Sequence, residues 1–157
     1  MKKVFKILIV ALIVFCAILI GRKIYYTKVG IGPEELYLSK QSSKEEFKMN
    51  KGAYQWDDKG MQVIADSISP LEIHFINSIE VSSNDKLYFN DYGWTMVNAF
   101  VILQQDKKEI ARIPIETNLE ENYIVVPDIV AGEYIIQINL ESENGKVWYA
   151  TKINITE

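Results

Sequence analysis

From Gly52 onward, apolar and polar side chains alternate along the chain with a period of two. The clearest runs cover residues 71–75, 87–89, 134–140 and 147–155. Alternation puts successive side chains on opposite faces of the backbone, which is the pattern of strands buried on one face. No long stretch of this region repeats its apolar residues at helical spacing. The pattern therefore favours strands over helices throughout residues 52–157.

Turn residues separate these runs and set the number of strands. Asn144 and Gly145 predict a two-residue type I′ hairpin, because both tolerate positive φ angles. Strands over 133–142 and 146–156 are then expected to pair antiparallel. The full set of expected strands is 53–57, 61–66, 71–76, 86–90, 95–103, 109–115, 122–126, 133–141 and 146–155. Seven to nine short strands with no helical period predict an all-β, immunoglobulin-like antiparallel sandwich.

The last two expected strands carry a family resemblance. Residues 129–134, IVAGEY, followed by IIQINLESENGKVWYATKINI, resemble the end of fibronectin-type and other bacterial immunoglobulin-like domains. In those domains a Gly-x-Tyr corner opens the penultimate strand, and the tyrosine hydroxyl bonds back to the loop backbone. The resemblance implies this structural corner role for Tyr134.

A second resemblance lies at the start of the domain. Gly52, Tyr54 and Trp56, followed by residues 65–67 and Pro70, are similar to the opening of small uncharacterised, membrane-anchored envelope proteins of Gram-positive bacteria. They are also similar to the outer sensing portions of some membrane peptidases. No activity comes with this resemblance, and no peptidase portion is present.

The N-terminal part of the chain has the composition of a membrane segment. Residues 7–20, ILIVALIVFCAILI, contain no charged or hydroxyl-bearing side chain. Fourteen residues are short for a span of about 20, but the segment extends over 4–26 if Lys6 snorkels and the tyrosines at 25 and 26 lie at the interface. We expect residues 1–26 to be an uncleaved single-pass anchor with a basic N-terminus that contacts membrane lipid through residues 4–26.

Two alternatives to an uncleaved anchor are weaker. Signal peptidase prefers small residues after the apolar run, and residues 19–21 read Leu-Ile-Gly. Lipidation of Cys16 would require a small residue where Phe15 stands.

Basic residues flank both ends of the segment, so charge alone does not determine its orientation in the membrane. We expect the C-terminal domain to be extracytoplasmic.

Charge is divided unevenly along the chain. Residues 1–28 carry six basic and no acidic groups, so the remainder carries 11 basic and 21 acidic groups. An acidic body argues against nucleic acid as a partner.

Residues 27–51 have the composition of a polar linker. The capping-box spacing that starts at Ser43 allows a short helix near 43–49, and a solvated spacer is the alternative.

Catalytic groups are sparse in the sequence. His74 is the only histidine and Cys16 the only cysteine, so neither a nucleophile–base pair nor a zinc site can be assembled. No Gly-rich phosphate loop appears, and we expect no enzymatic activity, no cofactor and no metal. Carboxylate pairs lie in or beside turns, where a calcium clamp is the rival to solvated charge: Asp57 with Asp58, Glu120 with Glu121, and Glu141 with Glu143.

Aromatic residues are the candidates for partner binding. Tyr54 and Trp56 point to one face of the first expected strand, and that face is either the core or an edge. In the edge interpretation they join three other aromatics in a surface patch for a protein, peptide or glycan. Trp148 is a further candidate because it is out of phase with its neighbours. The complete set is Tyr54, Trp56, Tyr88, Tyr92, Trp94 and Trp148.

Two functions fit these features. The first is a membrane-tethered interaction or sensing module that binds another component of the cell envelope. The second is a structural or immunity-type accessory protein that acts partly through its membrane helix. Retrieval of a partner from envelope extracts by residues 50–157 would favour the first, and retrieval by the full-length chain only would favour the second.

Overall fold

The computed structural model describes residues 11–21, 32–41, 43, 45–58, 60–106 and 108–156. It divides into two units, 1–31 and 32–157. In the first unit, the described residues 11–21 are helical, with exposed apolar side chains. The rest of the predicted segment 4–26 lies outside the described residues. Within the part of the chain that is described, no helix is long and apolar enough to cross a membrane.

The second unit is an antiparallel β-sandwich with a 3₁₀ turn at Pro70–Glu72. Its strands are β1 (Tyr37–Lys40), β2 (Glu46–Lys48), β3 (Asn50–Asp58), β4 (Met61–Ala65), β5 (Ser78–Ser82), β6 (Lys86–Phe89), β7 (Met96–Gln105), β8 (Lys108–Ile115), β9 (Thr117–Asn118), β10 (Tyr123–Val125), β11 (Gly132–Ser142) and β12 (Gly145–Thr156).

The strands form two sheets. The smaller sheet has the order β2-β1-β6-β10-β9, and the larger has the order β4-β3-β12-β11-β7-β8. The seventh strand of the larger sheet, β5, runs parallel to the second half of β12. The first half of β12 pairs with β3 on that same side. Strand β12 therefore has partners along both of its sides.

The main core lies between the inner faces of the two sheets. Its apolar side chains come from alternating positions, as the period of two predicts. On β12, Val147, Tyr149, Ile153 and Ile155 face inward and are almost fully buried. All-β architecture and a two-sheet antiparallel sandwich are thus confirmed.

Three details of the predicted strand set are wrong. There are twelve strands among the described residues, because pieces of two to five residues are too short to show a clear period. Residues 37–40 and 46–48, which we expected in a polar linker, form β1 and β2, and the described residues between 43 and 49 contain no helix. Leu36, Leu38 and Met49 anchor this region because all three are fully buried in the core.

The expected strand over 71–76 does not exist either. Ser69 caps a 3₁₀ turn instead, since its hydroxyl accepts from the Leu71 backbone N–H at 3.3 Å and its own N–H donates to Glu72 at 3.3 Å. Pro70 at the start of that turn has no N–H for a ladder. The true strand, β5, begins two residues after 76.

The β11–β12 hairpin is confirmed, but its turn lies one residue earlier than predicted. Ser142 pairs with Gly145, so Glu143 and Asn144 form the turn. Gly145 has φ of +147°, and a Cβ there would lie 2.0 Å from the backbone oxygen of Gln55. The glycine is needed because β3 approaches the hairpin closely, not because a type I′ turn requires it.

Candidate binding face

The aromatic side chains proposed for partner binding do not form one patch. Trp56 and Trp94 are 8% and 6% exposed and belong to the main core. Their rings meet edge to face with centroids 6.2 Å apart, an arrangement favoured by the ring quadrupoles. The core interpretation of the Trp56 face therefore holds, and neither indole is accessible to a partner.

The three tyrosines of the proposed patch are dispersed. Tyr54 is half-buried and packs against the main core. Tyr88 lies on the smaller sheet beside Tyr123, with ring centroids 5.6 Å apart. Tyr92 is 47% exposed, in the loop between β6 and β7, and its ring meets that of Trp94 edge to face with centroids 6.4 Å apart. Tyr92 therefore contacts one of the two indoles, but because both indoles are buried the six proposed rings do not share one exposed patch.

Tyr134 occupies the start of β11. Its hydroxyl donates a hydrogen bond to the backbone oxygen of Val130 at 2.6 Å. This bond closes the turn before β11 in the way that the resemblance to fibronectin-type domains implied. Tyr134 itself is half-buried at the margin of the core.

A connecting segment packs on part of the larger sheet's outer face. It consists of residues 66–77, between β4 and β5, and includes the 3₁₀ turn at Pro70–Glu72. Their alternating apolar side chains, Leu71, Ile73 and Phe75, pack on a small second core of Ile102, Ile135 and Ala150. The alternation predicted for 71–75 thus describes burial correctly, although the backbone joins no sheet there. His74 points outward and is exposed.

Trp148 is partly buried and packs at the margin of this second core. Its indole lies flat on β3, since a Cβ at Gly52 would be 2.2–2.3 Å from three neighbouring atoms of the ring. The register of β3 against β12 shifts between Val147 and Tyr149, so Gly52 and Ala53 together oppose Trp148. Such a bulge re-aims a side chain. One face of the indole rests on the backbone, and the other faces outward.

Trp148 borders a cleft of about 380 Å³ on the outer face of the larger sheet, beside the part of that face on which residues 71–75 pack. Strands β3, β4, β11 and β12 supply its walls. The outer-face residues around it are Ala53, Gln55, Ile64, Asp66, Asn139, Glu141, Lys146 and Trp148. We call this surface the Trp148 cleft. Ile64 is 65% exposed beside it, so the cleft combines an aromatic plane, an apolar rim and planar polar groups.

A buried glutamine orients one of these polar groups. Gln137 is 7% exposed, and its Nε2 donates to Asn139 Oδ1 at 2.7 Å. Its own Oε1 is buried without a hydrogen-bond partner among the described residues. Because Oδ1 of Asn139 is occupied, the amino group of that amide is turned away from Gln137. Sequence reasoning missed this pair, since polar residues at alternating positions read as an ordinary solvated face.

The charges of the Trp148 cleft are largely compensated. Lys146 Nζ lies 2.7 Å from Glu141 Oε1 on the paired strand. Asp66, which is exposed, adds negative charge at the margin. Among its described lining residues, the cleft therefore has a slight acidic bias and no basic patch for a phosphate or carboxylate.

A wider cleft of about 950 Å³ lies between β2 and the start of β5. Three of its charged groups are paired: Glu35 lies 3.3 Å from Lys48 and 3.5 Å from Lys51. Glu45 and Glu46 also line this cleft. Lys51 also donates to the backbone oxygen of Pro33 at 2.6 Å. Its ionic groups serve the fold by holding the segment before β1.

The described residues contain no group of three or more His, Cys, Asp or Glu side chains placed to hold a metal ion. The carboxylate pairs weighed for calcium lie in loops or at strand ends. No protein-family model matches this chain, and the comparison with curated proteins finds no match.

Proposed function

We propose that this chain is a membrane-tethered binding module whose domain lies outside the cytoplasm and binds another component of the cell envelope through the Trp148 cleft. One observation carries the proposal: the indole of Trp148 is supported flat on Gly52 with its other face turned to the cleft. A well-supported, partly exposed tryptophan in a cleft is the kind of residue that supplies most of the free energy of a binding interface.

The order of strands supports an immunoglobulin-like classification. In the smaller sheet, β1, β6, β10 and β9 are neighbours in the order of strands A, B, E and D of a constant-type domain. In the larger sheet, β7, β11 and β12 follow the order of strands C, F and G. On this view β2–β5 are an insertion between A and B, and domains of this kind commonly serve recognition.

The N-terminal region supports the membrane tether. The apolar run over residues 7–20 and the basic groups around it argue for insertion, and residues 11–21 are helical. We place the acidic domain on the outside of a single-pass protein, in the manner of the Gram-positive envelope proteins that the sequence resembles. Protease treatment of intact cells tests this: loss of the β11–β12 hairpin is expected, and its full protection would contradict an external domain.

The binding function is tested by sedimentation with cell envelopes from which lipid has been extracted. Extraction removes the membrane that the apolar segment could enter, so retention must come through the domain. The full chain in detergent and a Tyr92→Ala variant are expected to sediment with the envelopes. Trp148→Ala is expected to remain in the supernatant. Tyr92→Ala is the matched control because it also removes a partly exposed aromatic ring, but outside the cleft.

Two results would contradict the proposal. If Trp148→Ala sediments like the parent chain, the cleft is not the binding site. If no retention occurs without lipid, the alternative gains: a structural or immunity-type accessory protein that acts through its helix.

A further inference from the structure

Building on the proposed function, we infer that the Trp148 cleft binds a neutral glycan, in which a β-linked, gluco-configured pyranose stacks on the indole of Trp148. The inference rests on the shape of the aromatic platform, the polar groups around it, the charge of the cleft and the pairing of the strands beneath it. It extends the proposed function by naming the class of ligand.

The platform is flat and rigid. Gly52 lets the indole lie against the backbone, so its outward face is parallel to the sheet surface rather than standing edge-on. An aromatic face carries partial negative charge. A pyranose with equatorial substituents has axial C–H bonds on both faces, and their weak positive charge matches the ring. The platform thus fits a flat sugar ring better than a branched side chain.

The polar groups around the platform are amides. Asn139 has its oxygen occupied by Gln137 at 2.7 Å, which leaves its amino group to donate toward the cleft. Gln55 is exposed and offers both a donor and an acceptor. Hydroxyl groups also donate and accept, so neighbouring sugar hydroxyls can satisfy both amides. Gln137 acts as a positioning residue, because it orients Asn139 without lining the cleft.

The charge of the cleft argues for a neutral ligand. Lys146 is paired with Glu141 at 2.7 Å, and Asp66 adds negative charge nearby. The domain as a whole is acidic. A phosphorylated or carboxylated ligand would meet repulsion here and would find no basic group without a carboxylate partner in the wall of the cleft.

The strands beneath the cleft argue against an extended peptide. A peptide that adds to a sheet needs a strand edge with unpaired N–H and C=O groups. Strands β3, β12 and β11 each pair with neighbours on both sides, so no ladder is open beneath the indole, and the one edge strand at the cleft is β4 at its rim. The floor of the cleft therefore offers side chains rather than backbone groups, which suits a polyhydroxylated ring.

The test uses the full chain in a detergent without a sugar headgroup. Chitohexaose and cellohexaose are titrated as probes, and an anionic polyphosphate serves as the contrasting ligand. Binding is followed by protection of tryptophan from acrylamide. Trp56 and Trp94 are buried, so the quenchable signal comes mainly from Trp148. At least one of the two oligosaccharides is expected to bind and to reduce quenching, whereas polyphosphate is not.

Variants separate stacking from positioning. Trp148→Ala is expected to weaken oligosaccharide binding, measured by calorimetry, about tenfold or more. Tyr92→Ala is the control, with unchanged affinity. Gln137→Met is expected to weaken binding about threefold while keeping the thermal midpoint, because an apolar residue of similar shape replaces a buried, half-satisfied amide. A merely structural role for Gln137 would leave affinity unchanged, and this result would overturn the positioning role.

The outcomes distinguish this inference from the proposed function. If neither oligosaccharide binds at millimolar concentration while Trp148-dependent retention on envelopes persists, the glycan inference is overturned and the binding function stands. A peptide or protein then becomes the ligand class. If polyphosphate binds and the oligosaccharides do not, the glycan inference is overturned, and so is the argument that the charge of the cleft disfavours anionic ligands. If retention on envelopes does not depend on Trp148, both proposals fall together.

Discussion

Single hydroxyl groups tie the loops of this domain to its core. Tyr134 closes the turn before β11, and Tyr149, which is fully buried, donates to the backbone oxygen of Glu34 ahead of β1. The role of Tyr134 followed from a short motif in the sequence. The bond of Tyr149 joins positions 115 residues apart, and no local pattern announces a partner at that distance.

The Tyr134 bond predicts a small loss of stability in Tyr134→Phe. Removing one hydroxyl that bonds to a backbone oxygen at a partly exposed site is expected to lower the free energy of unfolding by about 0.5–1 kcal/mol. Urea unfolding followed by circular dichroism measures the change. Tyr92→Phe, at an exposed tyrosine, is the control, with a change below about 0.5 kcal/mol. Equal effects of the two substitutions would contradict the role of the corner bond.

Tyr149 predicts a loss of stability at high pH. Burial raises the pKa of its phenol, and the carboxylates of Glu35 and Glu34 raise it further. In the unfolded chain the phenol ionises near pH 10, while in the folded domain it keeps its proton. The unfolded state therefore binds fewer protons above that pH, and the free energy of unfolding falls by up to about 1.4 kcal/mol per pH unit.

The comparison with Tyr149→Phe isolates this effect from the other tyrosines. The variant loses a hydrogen bond at every pH, so its curve is displaced, but its decline above pH 10 is expected to be shallower. Urea unfolding between pH 8 and 11 gives both slopes. Parallel slopes would show that Tyr149 does not contribute to the alkaline loss of stability.

At the scale of elements, the alternation of apolar and polar residues predicted which side chains are buried more reliably than it predicted which strands pair. The sequence predicted that β11 and β12 pair and that Leu71, Ile73 and Phe75 are buried. It assigned 71–76 to a sheet because burial against a sheet's outer face leaves the same pattern as membership in a sheet. Strand β5 was missed because its five residues follow a segment with the same period.

The contact between β3 and β12 predicts the effect of Gly52→Ala. Alanine normally favours a strand over glycine by reducing the entropy of the unfolded chain. Here the added methyl group would meet the Trp148 ring at 2.2 Å, so the substitution is expected to cost about 1–3 kcal/mol. Thermal and urea unfolding measure this cost.

A second background makes the test of Gly52 specific. In Trp148→Ala the ring is gone, so adding Gly52→Ala should cost much less than it does in the parent chain. The difference between the two costs is the coupling energy of the contact. Equal costs in both backgrounds would mean that something other than the indole requires glycine at this position.

At the scale of the whole molecule, the sequence predicted the two-sheet class and missed where the domain begins. The polar composition of residues 27–51 suggested a linker, yet Leu36, Leu38 and Met49 are fully buried. Their burial depends on pairing with β6, far along the chain. The Trp148 cleft was out of reach for the same reason, because β3, β4, β11 and β12 meet only in the folded domain.

This boundary gives a direct prediction about fragments. A fragment of residues 32–157 is expected to unfold cooperatively, with sharp dispersed NMR signals. A fragment of 52–157 lacks β1, β2 and three buried apolar side chains, and a loss of several kcal/mol is expected from the exposed core alone. It should show poor dispersion and bind a hydrophobic dye. Equal dispersion and cooperativity in the two fragments would show that residues 32–51 are dispensable.

The position of β12 has a consequence for biosynthesis. It is the last strand of the domain to be made, yet it lies in the interior of the larger sheet, with β11 along one side and β3 and β5 along the other. Until β12 is synthesised, β11 on one side and β3 and β5 on the other lack the strand that they pair with in the folded sheet. The larger sheet therefore cannot be completed until β12 has been translated, and until then the edges of β3, β5 and β11 that pair with β12 stay open to other contacts.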